Sequence, residues 1–178
     1  DGLALGPNIG AFVPHSMLRV EVMGLRDSIS RKPTDAELTR METLLDQAME
    51  QGYLGLSTDG LPFHYLANEP HTDQRIPTQF AGYTELKRLL GVVRRRDRVW
   101  QTTPLIENRA KGMLYFLFSS GRLFGKPLKT SALSVMEFVL APKASNAFLG
   151  LSKLINSALL KGRIHFQALG TNFRLWSD

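Results

Sequence analysis

Apolar positions along the chain recur with two different periods. In residues 35–50, Leu38, Met41, Leu45, Ala48 and Met49 share one face of a 3.6-residue repeat, with Asp35, Glu42, Asp46 and Glu50 opposite. Thr34 precedes this run and Glu37 follows three residues later, the spacing of a capping box, while Gly52 stands where such a helix stops. Shorter apolar runs read as strands. These are residues 9–14, closed by Pro14; 53–58, ending in the turn Asp59-Gly60; and 98–102, 127–132, 163–168 and 173–176. Between them, residues 84–90 open a second amphipathic helix and a further one is predicted around 112–121. Residues 134–161 read as helix in two pieces broken near Pro142.

Strand and helix in alternation predict an α/β fold with mostly parallel strands. The spacing of about 35–45 residues per unit is that of a (β/α)8 TIM barrel with loop insertions, and a whole barrel takes about 250 residues. A chain of 178 residues therefore supplies a partial barrel, with residues 1–178 read as part of one barrel domain. Asp1-Gly2 opens the chain without Met, and Trp176-Ser177-Asp178 ends it directly after a strand-like run. The expectation is an internal piece of a longer protein, truncated at both ends. Residues 61–81 form a loop of roughly twenty residues rich in Pro, His, Asn, Asp and Thr, a length that in compact domains tends to carry function.

Composition removes several classes. With 43% hydrophobic and 21% charged residues the chain has the make-up of a folded, water-soluble protein. It has no cysteine, hence no disulfide, zinc finger or thiol nucleophile in this stretch. The longest apolar runs, such as residues 113–118, are about a third of a bilayer span, so no membrane partner is expected. No signal peptide opens the sequence, which together with the missing cysteines fits a cytoplasmic location. The net charge of +6 gathers partly in Arg94-Arg95-Arg96-Asp97-Arg98. Nucleic acid is nonetheless not expected as a partner, because the run lacks interleaved aromatics and sits at a helix end where cations are commonly just solvated.

In a barrel the chemistry gathers at the C-terminal ends of the strands. Those positions give His15, then Ser57-Thr58-Asp59, then Gln101-Thr102-Thr103, then Thr130-Ser131. They are mostly hydroxyls and amides, suited to polar substrate groups and poor as metal ligands. His15 reads as a proton carrier or substrate contact, or else as a histidine bonded inside a turn after Pro14. Arg19, four residues on, shares its face in a first helical turn. The two together suit a carboxylate, unless Arg19 pairs with Glu21 or Asp27 instead. His64, His71, Asp73 and Glu69 in the long loop match no recognised metal spacing. Residues 55–60 approach a nucleophile elbow but lack its Gly-x-Ser-x-Gly pattern.

Three strings carry a family likeness: Val13-Pro14-His15-Ser16-Met17-Leu18-Arg19, Val22-Met23-Gly24, and Lys32-Pro33-Thr34-Asp35-Ala36-Glu37-Leu38. Met41, residues 48–52, Gly55-Leu56-Ser57-Thr58, Glu69-Pro70, residues 76–81 and Glu85-Leu86 continue it. Over residues 9–100 the chain resembles the N-acyl-D-amino-acid deacylases (D-aminoacylases) of the metal-dependent amidohydrolases, and beyond 100 the likeness rests mainly on strand order. The resemblance implies a barrel in which one or two zinc ions activate water to hydrolyse the linear amide of a small N-acyl amino acid. It implies substrate contacts at His15, Arg19, Ser57 and Thr58. The zinc ligands would lie outside this chain, since the two family histidines expected inside it align near Thr103 and Ala132. No metal ligand is therefore assigned here. Two other functions stay open: a non-catalytic barrel that binds a carboxylated ligand, and a basic RNA-binding module using residues 94–98. Oligomeric state is not legible.

Overall fold

The computed structural model describes residues 9–67, 69–105, 108–133 and 144–167. Five strands, β1 (Val13–Pro14), β2 (Gly55–Thr58), β3 (Val99–Thr102), β4 (Lys129–Leu133) and β5 (Arg163–Gln167), form one sheet in the order β1-β2-β3-β4-β5. Every pairing is parallel. Parallel neighbours need a crossover between them, and here helices supply it. They are α1 (His15–Met23), α2 (Leu25–Ser28), α3 (Asp35–Glu50), α4 (Tyr83–Arg95), α5 (Arg109–Phe116), α6 (Gly121–Phe124) and α7 (Ala144–Ile155). Strands that follow one another in both sequence and space give a mixed α/β arrangement of the TIM-barrel kind. The predicted strand at 173–176 and the break at Pro142 fall outside the described residues.

Differences from the expected elements are local. The first strand covers only two residues rather than 9–14, and α2 was not signalled by any periodicity because four residues are too few to show one. The 61–81 loop is not featureless: Tyr65 bridges Arg75, and Pro77–Phe80 form a 3-10 turn. No helix among the described residues is long and apolar enough to cross a membrane.

The helices cover one face of the sheet. Strand side chains alternate in direction, so Leu56, Trp100, Thr130 and Ile164, paired across the strands, all turn inward and are buried. Leu38, Met41, Leu45 and Met49 of α3 and Leu86, Leu89, Leu90 and Val93 of α4 pack with Leu56 and Trp100 as one core. Phe116, Ala132, Leu151, Ile155 and Ile164 form a second cluster beneath β4 and β5.

The capping box at the start of α3 is present. The Thr34 hydroxyl accepts from the Glu37 amide at 3.2 Å, and the Thr34 amide donates to Glu37 Oε2 at 2.7 Å. Hydrogen bonds from Arg31, then from the Thr34 amide, hold the Glu37 carboxyl down at about 2. Thr34→Ala is expected to cost about 1 kcal/mol of stability, read as a lower urea midpoint with an unchanged slope.

Candidate functional site

His15 begins α1 directly after β1 and is fully buried. Its Nδ1 lies 2.9 Å from Thr78 Oγ1 and its Nε2 2.9 Å from Glu85 Oε1. Arg19, one turn later, places Nη1 at 2.6 and 2.5 Å from the two Glu85 oxygens. Its remaining donors reach the Ser28 and Arg31 carbonyls at 2.9 and 3.1 Å. Burial pushes the Glu85 carboxyl up, but the hydrogen bonds and charges of His15 and then Arg19 outweigh it and hold the group below the ordinary carboxylate range. The helical spacing that set His15 and Arg19 on one face is as expected. Their partner differs: Arg19 pairs with Glu85 of α4 rather than with Glu21 or Asp27, since the loop after β2 returns the chain over α1. A guanidinium whose donors are all spent on protein acceptors has none to offer a ligand from this position.

Ser57 and Thr58 project to opposite faces, as neighbours on a strand must. Thr58 lies under the helices, where its hydroxyl accepts from Trp100 Nε1 at 2.9 Å and donates to Thr102 Oγ1 at 2.9 Å. Ser57 stands on the other face in a single register row, Pro14, Ser57, Gln101, Ser131 and His165, that crosses all five strands. The Ser57 hydroxyl donates to Gln101 Oε1 at 3.2 Å, and Gln167 Nε2 donates to Ser131 Oγ at 2.9 Å. Apart from Pro14 this row is polar, half-buried to exposed, and faces away from the helices. Gln101 and Ser131 were among the strand-end candidates, but His165 and Gln167 were not. Alternation along β5 sets His165 and Gln167 on one face of that strand, but only the register against β4 shows that it is the face of Ser57.

The described residues do not fit a metal ion. At the end of β3 the Thr103 hydroxyl donates to Asp59 Oδ1 at 2.7 Å. Ala132 is buried and turned toward the helices. The second Asp59 oxygen is hydrogen-bonded to His64 Nδ1. Among the described residues no three of His, Cys, Asp and Glu converge.

Three arginines of the basic run make contacts within the fold, and Arg95 and Arg96 are exposed. Arg94 is buried and donates to the Phe118 carbonyl and, at 2.8 Å, to that of Lys126. Arg96 pairs with Asp46 and Glu50 of α3, and Arg98 donates to the Met49 carbonyl.

No protein-family model matches the chain. Uncharacterized proteins of Mycobacterium bovis and Mycobacterium tuberculosis are 36% identical to it over a match of 182 residues that covers 100% of this chain and 30% of theirs. The chain thus spans about 30% of the length of these curated relatives. The N-acyl-D-glutamate deacylase of Bordetella bronchiseptica, solved with zinc and a phosphonate mimic of the tetrahedral intermediate, superposes with a TM-score of 0.67 at 25% identity. That match covers 89% of this chain and 30% of the deacylase. A D-aminoacylase solved with copper chloride gives 0.65 at 22% identity, over 91% of this chain and 31% of its own. The chain therefore has the fold of one part of these deacylases, a parallel five-stranded sheet backed by helices.

Proposed function

We propose that the protein of which this chain is part is an amide hydrolase of the D-aminoacylase kind, acting on a small N-acyl amino acid. The observation that carries the reading is the fold shared with N-acyl-D-glutamate deacylase at TM-score 0.67. In this reading the open row of Ser57, Gln101, Ser131 and His165 binds polar groups of the substrate. His15 and Arg19 act at one remove: by clamping Glu85 they fix α1 and α4 against the strands that carry the row. No catalytic step is assigned to a metal on these residues, and zinc, where the whole protein uses it, is held by residues beyond those described. The location proposed is the cytoplasm.

The test is release of free amine from N-acetyl-D-amino acids by the whole protein, with its metal content measured on the same sample. Turnover with one or two bound zinc ions is expected. A second reading, a barrel that binds a carboxylated ligand without hydrolysing it, is favoured by one observation: Thr103 and Ala132 stand where the resemblance puts metal histidines. Binding of N-acetyl-D-amino acids without amine release or metal would establish it.

A further inference from the structure

On the helix side of the sheet, away from the open polar row, a cavity of about 40 Å³ lies between the ends of β2 and β3 and helix α5. That is room for two or three waters or one carboxylate-sized group. Tyr115 of α5 forms part of its wall and is only 9% exposed, yet its buried hydroxyl has no hydrogen-bond partner among the described residues. Buried hydroxyls are almost always bonded, and an orphan calls for an explanation. Neighbouring groups do not supply one. The Thr58 and Thr102 hydroxyls bond each other, Thr103 bonds Asp59, and the Gln79 amide nitrogen is spent on the Leu61 and His64 carbonyls.

Tyr115 also lines a second, open groove of about 560 Å³, together with Gln79, Ala81 and Lys111, which the two spaces share. The outer walls of this groove are apolar and exposed, with Tyr83 at 49%, Leu114 at 59% and Leu123 at 54%. Among the described residues Lys32 and Lys111 are the groove's charged side chains; the cavity beyond has one carboxylate in its wall, Asp59, whose two oxygens are held by Thr103 and His64. The Lys111 ammonium sits 5.4 Å from the centre of the Tyr115 ring, at the boundary between the apolar groove and the polar cavity.

We propose that groove and cavity form one binding site for an amphiphilic carboxylate, a medium-length acyl chain ending in a carboxyl group. The chain lies along Tyr83, Leu114 and Leu123, which removes their apolar surface from water. The carboxylate enters at the boundary, neutralises Lys111 and accepts a hydrogen bond from the Tyr115 hydroxyl. The site stands on cavity geometry and charge, independently of the hydrolase reading.

The test is titration of the whole protein with sodium octanoate by calorimetry, with octan-1-ol as the uncharged comparison. Octanoate is expected to bind, and octanol to bind at least about tenfold more weakly. Tyr115→Phe and Lys111→Gln are each expected to weaken octanoate about tenfold, the size of one lost hydrogen bond or ion pair to a charged group. Both variants should keep the wild-type melting temperature, and Tyr115→Phe, which removes a lone buried hydroxyl, should match or exceed it without ligand. Failure of octanoate to bind overturns the proposal, as it would if another segment of the whole protein fills the groove. So does octanol binding as tightly as octanoate, or both variants binding like wild type. Amine release from N-acetyl-D-amino acids, followed in the same samples, judges the hydrolase reading separately.

Discussion

Glu85→Ala is expected to destabilise the protein by about 3–5 kcal/mol, the cost of removing one partner from a buried ion pair. Arg19 is fully buried and both Glu85 oxygens lie within 2.6 Å of its Nη1, so the substitution leaves a guanidinium charge without its counter-ion in a site closed to water. His15 loses its partner at the same stroke. That loss is a large share of the whole stability of a typical domain, and it should appear as a lower urea midpoint and a lower melting temperature. Were His15 and Arg19 direct substrate contacts whose fold did not depend on Glu85, the variant would lose activity and keep its midpoint.

The pH dependence follows with a definite sign. Burial raises the Glu85 carboxyl, but His15 and Arg19 lower it further, so its folded value lies below the unfolded one. A carboxyl of this kind contributes its full stability above the unfolded value of about 4.3. The contribution drains away as pH falls through the folded value. The wild-type melting temperature should therefore drop on acidification below about pH 4.3, while a Glu85→Gln variant, already destabilised at neutral pH, should show a shallower decline over the same window.

What the sequence made legible was local or periodic. Thr34 and Glu37 announce the start of α3 because both halves of a capping box lie within four residues, and the face of Leu38, Met41 and Leu45 repeats three times. The strands at Leu56 and Trp100 are short apolar runs bounded by turn residues, and their alternation with helices gave a parallel sheet before any pairing was known. What stayed hidden depends on contacts between distant positions. Glu85 reads as an ordinary first-turn acid of α4, and nothing near it points to His15, 70 residues earlier. Ser57 and Thr58 look equivalent as adjacent hydroxyls after an apolar run, and only the direction of the pleat sends one to the open row and the other under the helices. The orphan hydroxyl of Tyr115 is invisible for the same reason, since an unmet hydrogen bond is a property of its surroundings.

Gly55→Ala should be among the most damaging single substitutions in the chain, costing roughly 3 kcal/mol or more. Two effects add, because Gly55 has φ +152°, a region that side chains rarely enter, and a methyl placed there would sit 1.7 Å from the Val99 carbonyl oxygen. The obstruction is backbone, so no rotamer change relieves it. Val99 cannot retreat easily either: its amide donates to the Leu54 carbonyl at 3.0 Å, and it is paired with Lys129 on the strand beyond. Separating β2 from β3 would also part Ser57 from Gln101, so the loss of stability should carry the polar row with it. Gly52→Ala is the matched control. Gly52 too has a positive φ, +105°, but an added methyl meets nothing within 4 Å, so only the backbone strain of about 1–2 kcal/mol remains. Urea midpoints of the two variants measure the difference. Equal midpoints would mean that β2 and β3 do not approach at Gly55 as closely as this register requires, and the row built on their pairing would lose its support.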